Sequence, residues 1–244
     1  MRREPEWHSR AASRGTRDLP DAAAPATPSA LGTVRCVPDS LDRGAPQGDH
    51  YFTAEPASAD ERRLLDVTLA GRSVRAWTAP GIFSPGHVDL GTQVLLREVP
   101  PPPADGDLLD LGCGWGPLAL TMALASPAAQ VWAVDVNRRS LDLVRRTATD
   151  LGLSGIRAVE PDGVPDDVAF GMIWSNPPIR VGKAALHALL ARWLPRLAPD
   201  GVAYLVAQRN LGADSLHRWL AEDLGLPTER VGSAKGFRIL RVTR

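Results

Sequence analysis

A glycine-rich loop after a predicted buried strand constrains this 244-residue chain more than any other feature. The strand ends at Leu111, the loop runs from Gly112 to Gly116, and Pro117 follows at the first helical position, where proline is favoured. Such a loop lets backbone amides at a helix N-terminus approach a ligand closely. Strands and helices alternate from there to the C-terminus. The pattern therefore predicts an α/β fold, a mostly parallel twisted sheet with helices on both faces.

Short apolar segments on both sides of the loop define the other predicted elements. Before the loop, residues 67–77 predict a β-hairpin, residues 88–99 predict a helix, and the prolines of residues 100–103 form a stiff connector. After the loop's own helix we predict strands at residues 131–134, 156–159, 170–174, 202–207 and 237–242, and helices at residues 137–151, 183–193 and 213–222. Residues 199–201 predict a turn before the fourth of these strands.

Composition along the chain suggests three stretches. Residues 1–48 are rich in Ala, Pro, Ser, Arg and Asp without periodicity, so we expect a disordered N-terminal extension. Residues 49–103 carry the hairpin and the first helix, which we expect to be N-terminal elements of the catalytic unit. Residues 104–244 carry the glycine loop and the alternating elements, and we expect them to form the cofactor-binding domain.

The overall composition excludes several classes of protein. The chain is 44% hydrophobic and 23% charged with no formal net charge, which is ordinary for a globular protein. No apolar stretch approaches the length that spans a bilayer, and the N-terminus lacks the apolar core of a secretory signal. The two cysteines predict no disulfide framework, and the histidines have no metal-ligand spacing. We expect a cytoplasmic protein with no membrane association and no metal site. The sequence leaves its oligomeric state open.

Acidic residues make the glycine loop more specific. Asp110 immediately precedes the loop, and Asp135 ends the next predicted strand, about twenty residues beyond the glycines. A carboxylate there can accept both ribose hydroxyl hydrogens of a nucleoside. Asp162, after the third strand, is a candidate partner for an adenine amine, although capping of its own loop explains it nearly as well. NAD would also suit Asp135, but the glycine spacing favours S-adenosylmethionine.

The segment Asn176-Pro177-Pro178-Ile179 predicts what receives the transferred group. The Asn176 side-chain oxygen and the Pro177 carbonyl are two acceptors that can take both hydrogens of a planar amine, which aims the nitrogen lone pair at a methyl donor. The two prolines make this geometry rigid before substrate binds. Taken alone, the segment is equally compatible with a rigid turn.

These motifs closely resemble those of class I S-adenosylmethionine-dependent methyltransferases. More narrowly, they resemble the methyltransferase small domain family, which contains ribosomal RNA guanine-N2 methyltransferases. The resemblance covers His50 to Arg244 and includes the segments His50-Tyr51-Phe52, Gly81-Ile82-Phe83-Ser84, Asp89-Leu90-Gly91-Thr92, Asn176 to Lys183 and Lys235 to Leu240. It implies a Rossmann-like fold in which residues 104–244 bind S-adenosylmethionine.

The resemblance also implies roles for individual residues. Phe83, Ser84, Asp89 and Thr92 would line the methionine end of the cofactor or the entrance. The predicted cofactor-binding residues are Asp110, Gly112, Cys113, Gly114, Gly116, Asp135, Asp162 and Asn176, and the predicted catalytic residues are Asn176, Pro177, Pro178 and Ile179. Gly171 departs from the family pattern, which commonly has Asp at that position.

Aromatic and basic residues complete the predicted site. Ile179 can cover a base but cannot stack on it, so Phe83 and Trp115 are the stacking candidates. From Ile179 onward, eleven Lys and Arg residues outnumber five Asp and Glu residues. This excess either attracts an anionic substrate or belongs to solvated helix faces. The predicted substrate-binding residues are Phe83, Arg180, Lys183, Lys235 and Arg238, with Arg209 as a further candidate for a phosphate contact.

The leading hypothesis is methylation of the exocyclic amine (N2) of a guanine in ribosomal RNA, with ribosomal RNA or a ribosomal subunit as the partner. Three alternatives stay open: methylation of a glutamine amide in a translation factor, methylation of a small-molecule amine, and a non-catalytic, cofactor-binding assembly factor. Ile179 and the subfamily segments argue against the glutamine amide. The intact Asp110, Asp135 and Asn176 argue against the assembly factor.

Overall fold

Nine strands and five α-helices make up the part of the chain that the computed structural model describes, which is residue 55 and residues 60–244. In chain order they are β1 (Arg63–Leu69), β2 (Arg72–Thr78), α1 (Leu90–Glu98), β3 (Asp107–Leu111), α2 (Pro117–Ala125), β4 (Gln130–Val134), α3 (Arg138–Asp150), β5 (Ile156–Val159), β6 (Phe170–Ser175), α4 (Lys183–Trp193), β7 (Leu197–Gln208), α5 (Ala213–Glu222), β8 (Thr228–Ala234) and β9 (Phe237–Thr243). Every predicted strand and helix is present. The predicted extension, residues 1–48, lies outside the described residues.

A seven-stranded sheet of order β5-β4-β3-β6-β7-β9-β8 forms the centre of the fold. Strands β3 to β7 run parallel, whereas β9 is antiparallel to both β7 and β8. The predicted α/β fold with a mostly parallel sheet is confirmed. The strand order reverses at β3, where the chain continues to β4 on one side and returns to β6 on the other. Open α/β sheets bind ligands outside the carboxyl ends of the strands at such a point.

Alternate residues of the central strands enter two hydrophobic clusters, one on each face of the sheet. In β3, Leu108 belongs to the cluster that contains α1, α2, α3 and the hairpin, and Leu109 belongs to the cluster covered by α4 and α5. Successive side chains of a strand point to opposite faces, so both faces of the sheet are covered by helices, as predicted. None of the helices in the described part of the chain is long and apolar enough to cross a membrane.

The predicted hairpin is the two-stranded sheet β1–β2, which packs against α3. Its two-residue turn places Ala70 and Gly71 at φ values of 48° and 74°, the pair of positive angles that a type I′ turn requires. The backbone N–H of Trp77 donates to the Thr147 hydroxyl at 2.9 Å, and its indole N–H donates to the Asp150 carboxylate at 2.7 Å. These bonds hold the hairpin on the helix and position the loop that follows it.

Strand β8 is absent from the sequence prediction. Its residues are mostly polar and at least partly exposed, because β8 is the edge strand and pairs only with β9. An edge strand without a buried face needs no alternation of apolar residues, so no pattern in the sequence marks it. Its register along β9 is interrupted between Arg230 and Gly232, an irregularity of the kind that protects sheet edges from further pairing.

The predicted turn at residues 199–201 lies within β7 and not before it. Phe170 of β6 pairs with Leu197, and Met172 pairs with Val202, so β7 bulges between the two pairs. A Cβ atom on Gly201 would lie 2.5 Å from the Phe170 carbonyl oxygen, an approach that only glycine permits. The residues typical of a turn therefore form a bulge inside one continuous strand.

Candidate active site

A cavity of about 350 Å³ opens at the carboxyl ends of the parallel strands. One half is lined by residues that follow β3 and β4, among them Gly112 and Asp135. The other half is lined by residues at the ends of β7 and β9, among them Gln208 and Phe237. Asn176, just past the end of β6, lies between the two halves. The cavity therefore has the position expected for a ligand site in this kind of sheet.

The glycine loop is fixed to the neighbouring elements by its backbone. The N–H groups of Gly112 and Cys113 both donate to the Val134 carbonyl at the end of β4, at 2.8 and 3.0 Å. The three glycines of the loop have positive φ angles of 77°, 54° and 92°. A Cβ atom on Gly116 would lie 2.8 Å from a methyl group of Val144 in α3. The loop therefore needs glycine for its backbone conformation and, at Gly116, for close packing as well.

Asp110 is fully buried beneath the loop. Its Oδ2 accepts the backbone N–H of Ala119 in the first turn of α2, at 2.9 Å, whereas its Oδ1 has no partner among the described residues. Burial raises the pKa of Asp110, the hydrogen bond from Ala119 opposes that rise, and the charge of Asp135 adds to it, so that the pKa is about 8. Asp110 lines a second, small cavity next to Asn176. An unpartnered carboxylate oxygen beside a small cavity suits a cationic group of a ligand.

Asp135 connects the end of β4 to the glycine loop. Its Oδ2 accepts the N–H of Gly114 at 2.8 Å, and its Oδ1 accepts the N–H of Asn137 at 2.9 Å. Burial raises the pKa of Asp135, and the backbone hydrogen bonds oppose that rise. Each oxygen keeps a further lone pair, so the carboxylate can still accept hydrogens from a ligand in the cavity that it lines.

Two other predicted cofactor residues differ in their access to the cavities. Asp162 is exposed, and its carboxylate pairs with Arg192 at 2.7 Å. Its neighbour Pro161 lines the main cavity. A contact between Asp162 and adenine stays a prediction. Cys113 is buried, lines the small cavity, and has a thiol whose pKa is raised by burial.

The loop between β2 and α1 covers the glycine loop. The indole N–H of Trp115 donates to the Ser84 carbonyl at 3.1 Å, and the side-chain amide of Asn137 donates to the Gly81 carbonyl at 3.0 Å. Trp115 is only 1% exposed, whereas Phe83 is 36% exposed and lines both cavities. Of the two stacking candidates, Trp115 is therefore a core residue, and only Phe83 can reach a substrate.

Asn176 is held by two side chains at the beginning of α1. Its amide nitrogen donates to Asp89 Oδ2 at 2.8 Å and to Thr92 Oγ1 at 3.1 Å. Both amide hydrogens are thereby used, so Oδ1 is the polar atom that the side chain can offer to a ligand. Asp89 and Thr92 line the small cavity. Their contact with Asn176 spans more than eighty residues of sequence, and no local pattern indicates it.

The Asn-Pro-Pro segment leaves β6 through a tight turn. Pro178 has φ −73° and ψ 79°, and the N–H of Ile179 donates to the Pro177 carbonyl at 2.8 Å, which is the geometry of an inverse γ-turn. One lone pair of this carbonyl is occupied, and the other is left for a substrate hydrogen. All four residues predicted to be catalytic line the main cavity together. Their catalytic role stays a prediction.

The half of the cavity beyond Asn176 contains residues to which the sequence assigned no role. Gln208 of β7 lies directly opposite Phe237 of β9 in the antiparallel pair, and Leu211, 42% exposed, lies nearby on the cavity wall. A Cβ atom on Gly91 would lie 3.0 Å from the Phe237 ring and 3.0 Å from Asp89 Oδ2. The ring is therefore close to the group that holds Asn176. Only the sheet order, in which β7 lies beside β6 and β9 beside β7, brings these residues to the site.

The predicted substrate-binding cations differ in their environments. Arg180 is exposed and lines the cavity. Lys183 begins α4, and Lys235 occupies the β8–β9 turn with a positive φ of 50°. These three side chains form no ion pair with another described residue. Arg238 pairs with Asp214. Its charge is therefore partly neutralised by its neighbour, and the other three are better placed to contact a phosphate.

A family model described as "Methyltransferase small domain" matches residues 73–241. The matched region contains the glycine loop, the Asn-Pro-Pro segment and both halves of the cavity. The chain belongs to the methyltransferase small domain family. The resemblance inferred from the sequence motifs is confirmed, as is the Rossmann-like methyltransferase fold.

Similar proteins include one uncharacterized member of the family and several enzymes with named substrates. The uncharacterized protein YbxB of Bacillus subtilis is 28% identical over 199 residues, which are 80% of this chain and 98% of that protein. The ribosomal RNA small subunit methyltransferase C of Pseudomonas aeruginosa (strain LESB58) is 34% identical over 197 residues, which are 78% of this chain and 57% of the enzyme. That of Aeromonas hydrophila is 39% identical over 154 residues, which are 62% of this chain and 41% of the enzyme. The chain thus spans about half the length of these methyltransferases.

Among solved structures, the 16S rRNA N2 methyltransferase RsmC of T. thermophilus, in complex with AdoMet and guanosine, matches with a TM-score of 0.66. It is 25% identical to this chain, and the match covers 78% of this chain and 52% of that one. This member of the methyltransferase small domain family is therefore an S-adenosylmethionine-dependent methyltransferase. The residues present fit that cofactor, because the unpartnered Oδ1 of Asp110 suits a cationic amine and the glycine loop leaves room for close approach to the backbone.

Proposed function

We propose that this methyltransferase methylates the exocyclic amine N2 of a guanine in ribosomal RNA. The observation that carries the proposal is the hydrogen bonding of Asn176. Its amide nitrogen is engaged by Asp89 and Thr92, so the acceptor Oδ1 is left for a ligand at the junction of the two halves of the cavity. The ribosomal RNA methyltransferases of P. aeruginosa and T. thermophilus that match this chain support ribosomal RNA as the substrate class.

In this proposal the half of the cavity next to β3 and β4 holds the cofactor. When bound, S-adenosylmethionine supplies an electrophilic methyl group on a positively charged sulfonium. Asp135 would accept hydrogens from the ribose hydroxyls through its remaining lone pairs, and Asp110 Oδ1 would accept a hydrogen from the ammonium group. Gly112 and Gly114 would let the ligand approach the backbone, because neither carries a Cβ atom.

The residues after β6 would orient the acceptor nitrogen. An aryl amine is a weak nucleophile because its lone pair is delocalised into the ring. Asn176 Oδ1 and the free lone pair of the Pro177 carbonyl would each accept one amine hydrogen and turn the lone pair towards the methyl carbon. Orientation of this kind contributes up to roughly 7–11 kcal/mol in favourable intramolecular reactions. No strong base is required, because the nitrogen becomes acidic once it is methylated and loses its proton to solvent.

The half of the cavity beyond Asn176 would receive the base. A base in RNA reaches such a pocket only after it leaves its stack, and apolar or aromatic side chains then cover its faces. Leu211 and Phe237 offer such surfaces in this half, and Phe83 lies at the cavity next to the glycine loop. Arg180 and Lys183 offer cations for the flanking phosphates, which position the RNA without reading its sequence.

Transfer of labelled methyl groups tests the proposal. The protein is incubated with labelled S-adenosylmethionine and, in parallel, with ribosomal RNA free of protein, each isolated ribosomal subunit, release factors, and a pool of small-molecule amines. Label in RNA that maps to N2-methylguanine is expected. The matched control is Asn176→Ala, which should lose methyl transfer while its dissociation constant for S-adenosylmethionine, measured by calorimetry, stays within a few-fold of wild type.

The other outcomes lead to different assignments. Label in a release factor alone would move the assignment to glutamine amides, and label in the amine pool alone would move it to small molecules. Loss of cofactor binding in Asn176→Ala would place that side chain in the cofactor site and contradict its role in orienting the acceptor.

A further inference from the structure

We propose that Asp89 and Thr92 are positioning residues that fix the orientation of the Asn176 side-chain amide. They hold it in the orientation that presents Oδ1, and not the NH2 group, to the acceptor nitrogen. The inference rests on the proposed function, because it assumes that the substrate is an amine whose hydrogens are accepted by Asn176. The family resemblance implies no role for Asp89 and Thr92 beyond lining the cavity.

The orientation matters because the two ends of an amide have similar shapes and opposite hydrogen-bonding properties. The oxygen accepts hydrogens, whereas the nitrogen donates two. A rotation of half a turn about the last side-chain bond of Asn176 would point N–H groups at the N–H groups of a substrate amine. No hydrogen bond could then form, and the nitrogen lone pair would not be directed. The site functions only if one of the two orientations is strongly preferred.

Asp89 imposes that preference. Its Oδ2 lies 2.8 Å from the Asn176 amide nitrogen, and an ionised carboxylate can only accept hydrogens. If the amide were reversed, two oxygens would face each other at this distance. The same Oδ2 accepts the backbone N–H of Gly91 at 2.8 Å and that of Thr92 at 3.4 Å. Two backbone N–H groups therefore point at this oxygen, which identifies it as an acceptor independently of Asn176.

The carboxylate itself is held in place by α1. Asp89 is the N-cap of this helix, where the unpaired backbone N–H groups and the helix dipole favour a negative charge. Thr92 is 3% exposed and its helix packs in the core on the same face of the sheet as Trp174 and Tyr204. The two groups that hold Asn176 thus belong to the N-terminal turn of a helix that packs in the core, where Asp89 is half-buried and Thr92 is buried.

The close packing around Gly91 explains why the Asp89-Leu90-Gly91-Thr92 segment has a glycine between Asp89 and Thr92. A Cβ atom at this position would lie 3.0 Å from Asp89 Oδ2 and 3.0 Å from the Phe237 ring. Both distances are shorter than normal contacts, so any other residue would displace the carboxylate or the ring. The segment therefore combines an acceptor, a residue without a side chain, and a buried hydroxyl, each required by the contact with Asn176.

Two substitutions at Thr92 separate orientation from packing. Thr92→Val keeps the shape and removes the hydroxyl, and Thr92→Ser keeps the hydroxyl and removes a buried methyl group. We expect kcat to depend on the presence of the hydroxyl group. Thr92→Val should therefore lower kcat roughly fivefold to tenfold, and Thr92→Ser should retain most of the rate. The melting temperature should depend on the buried methyl group, so it should fall more in Thr92→Ser than in Thr92→Val. Thr149, exposed at the end of α3, provides the control variant Thr149→Val.

Substitutions at Asp89 separate orientation from helix capping. Asp89→Ser keeps a favourable N-cap residue but is too short to reach Asn176, and we expect it to lower kcat roughly 10- to 100-fold. Asp89→Asn keeps an oxygen at the same distance and should restore part of the rate. The dissociation constant for S-adenosylmethionine should stay within a few-fold of wild type in both Thr92 variants, which keep the charges of the small cavity.

A measurement on the protein without substrate tests the orientation of the Asn176 amide separately from the proposed function. In ¹H–¹⁵N spectra of the protein, the Asn176 side-chain NH2 signals, identified by their loss in Asn176→Ala, should exchange slowly with solvent. Exchange should accelerate in Thr92→Val and Asp89→Ser but not in Thr92→Ser. This result would stand even if RNA proved not to be the substrate. The inference is overturned if exchange and kcat are unchanged in Thr92→Val, if Thr92→Ser loses as much kcat as Thr92→Val, or if Thr92→Val loses cofactor affinity and not kcat.

Discussion

At the scale of single residues, Asp110 combines full burial with a carboxylate oxygen that has no hydrogen-bond partner in the described part of the chain. Because burial raises its pKa to about 8, the carboxyl group is mostly protonated in the ligand-free protein at neutral pH. A cationic amine in the adjacent small cavity favours the carboxylate, so cofactor binding should release a proton. We expect the association constant for S-adenosylmethionine to rise by up to about tenfold per pH unit as the pH is raised towards 8, and not to rise further above it, where the α-amino group of the cofactor loses its own proton. Calorimetry across that range checks the prediction.

The variant Asp110→Asn provides the control and a stability test. Asparagine can still accept the Ala119 N–H, but it does not titrate. Because the folded-state pKa of Asp110 lies above the ordinary value of 3.8, wild type loses stability as the pH rises from about 4 to about 8, and the variant lacks that loss. We therefore compare the melting temperatures of ligand-free Asp110→Asn and wild type. The variant should have the higher value, and the difference should be larger at high pH than at pH 5. Its cofactor affinity should be weaker and independent of pH. Parallel pH profiles for the two proteins would contradict the prediction.

Phe237 is the residue that we expect to stack on the acceptor base. It lines the half of the cavity beyond Asn176 and packs over Gly91. Base–aromatic stacking is worth about 1–3 kcal/mol by alanine substitution, so Phe237→Ala should raise KM for RNA at least severalfold with little change in cofactor affinity. Phe237→Tyr keeps the aromatic face and should retain the wild-type KM. Steady-state kinetics with both variants distinguishes stacking from simple loss of volume, and an equal rise in KM for the two would argue against stacking.

At the scale of elements, the glycine loop depends on how closely α2 and α3 approach each other. Gly116 has a φ of 92°, and a Cβ atom there would lie 2.8 Å from a Val144 methyl group. Gly152, at the end of α3, also has a positive φ, 67°, but an added Cβ would meet nothing within 4 Å. The two positions therefore separate backbone strain from steric overlap.

We expect Gly152→Ala to lower the free energy of unfolding by about 1–2 kcal/mol, which is the cost of a left-handed conformation alone. Gly116→Ala should lower it by about 2–5 kcal/mol, because overpacking adds to the same cost. It should also weaken cofactor binding, whereas Gly152→Ala should not. Urea unfolding and calorimetry measure both effects. Equal destabilisation by the two variants would mean that Val144 moves aside freely.

At the scale of the whole molecule, the formal net charge of zero gives no indication of an anionic partner. The structure nevertheless places Arg180 at the cavity, while Arg238 is paired with Asp214. Arg75 lies on the hairpin beside the C-terminal end of α3, which is the end remote from the cavity. The positions of the charges, rather than their sum, thus define the candidate RNA surface.

We expect RNA binding to weaken with salt, with a slope near −3 in a plot of log K against log salt concentration if about four phosphates are contacted. Arg180→Gln and Lys235→Gln should each reduce the magnitude of that slope by about 1. Arg75→Gln should leave it unchanged, and Arg238→Gln should have a smaller effect than Arg180→Gln. Filter binding at several salt concentrations checks the prediction. A reduction by Arg75→Gln equal to that by Arg180→Gln would indicate non-specific attraction to the entire surface.

The sequence by itself determined which elements form, to which family the chain belongs and which cofactor it uses, because these depend on local patterns. Apolar periodicity distinguishes strands from helices, the glycines at 112, 114 and 116 supply positive φ angles, and the prolines after Asn176 stiffen the chain. The strand β8 lacked such a pattern because an edge strand has little to bury. Those local signals were sufficient for the fold class and for the family.

Only the tertiary structure decided which side chains meet at the site. Asp89 and Asn176 are 87 residues apart, and Phe237 reaches the cavity because β9 enters the sheet next to β7. Trp115 turns into the core, an orientation that its place in the loop favours only slightly over a substrate contact. These contacts depend on strand order and on packing between distant segments, which no local pattern encodes. For that reason the sequence could name the cofactor and the acceptor motif, while the groups that orient Asn176 emerged from the fold.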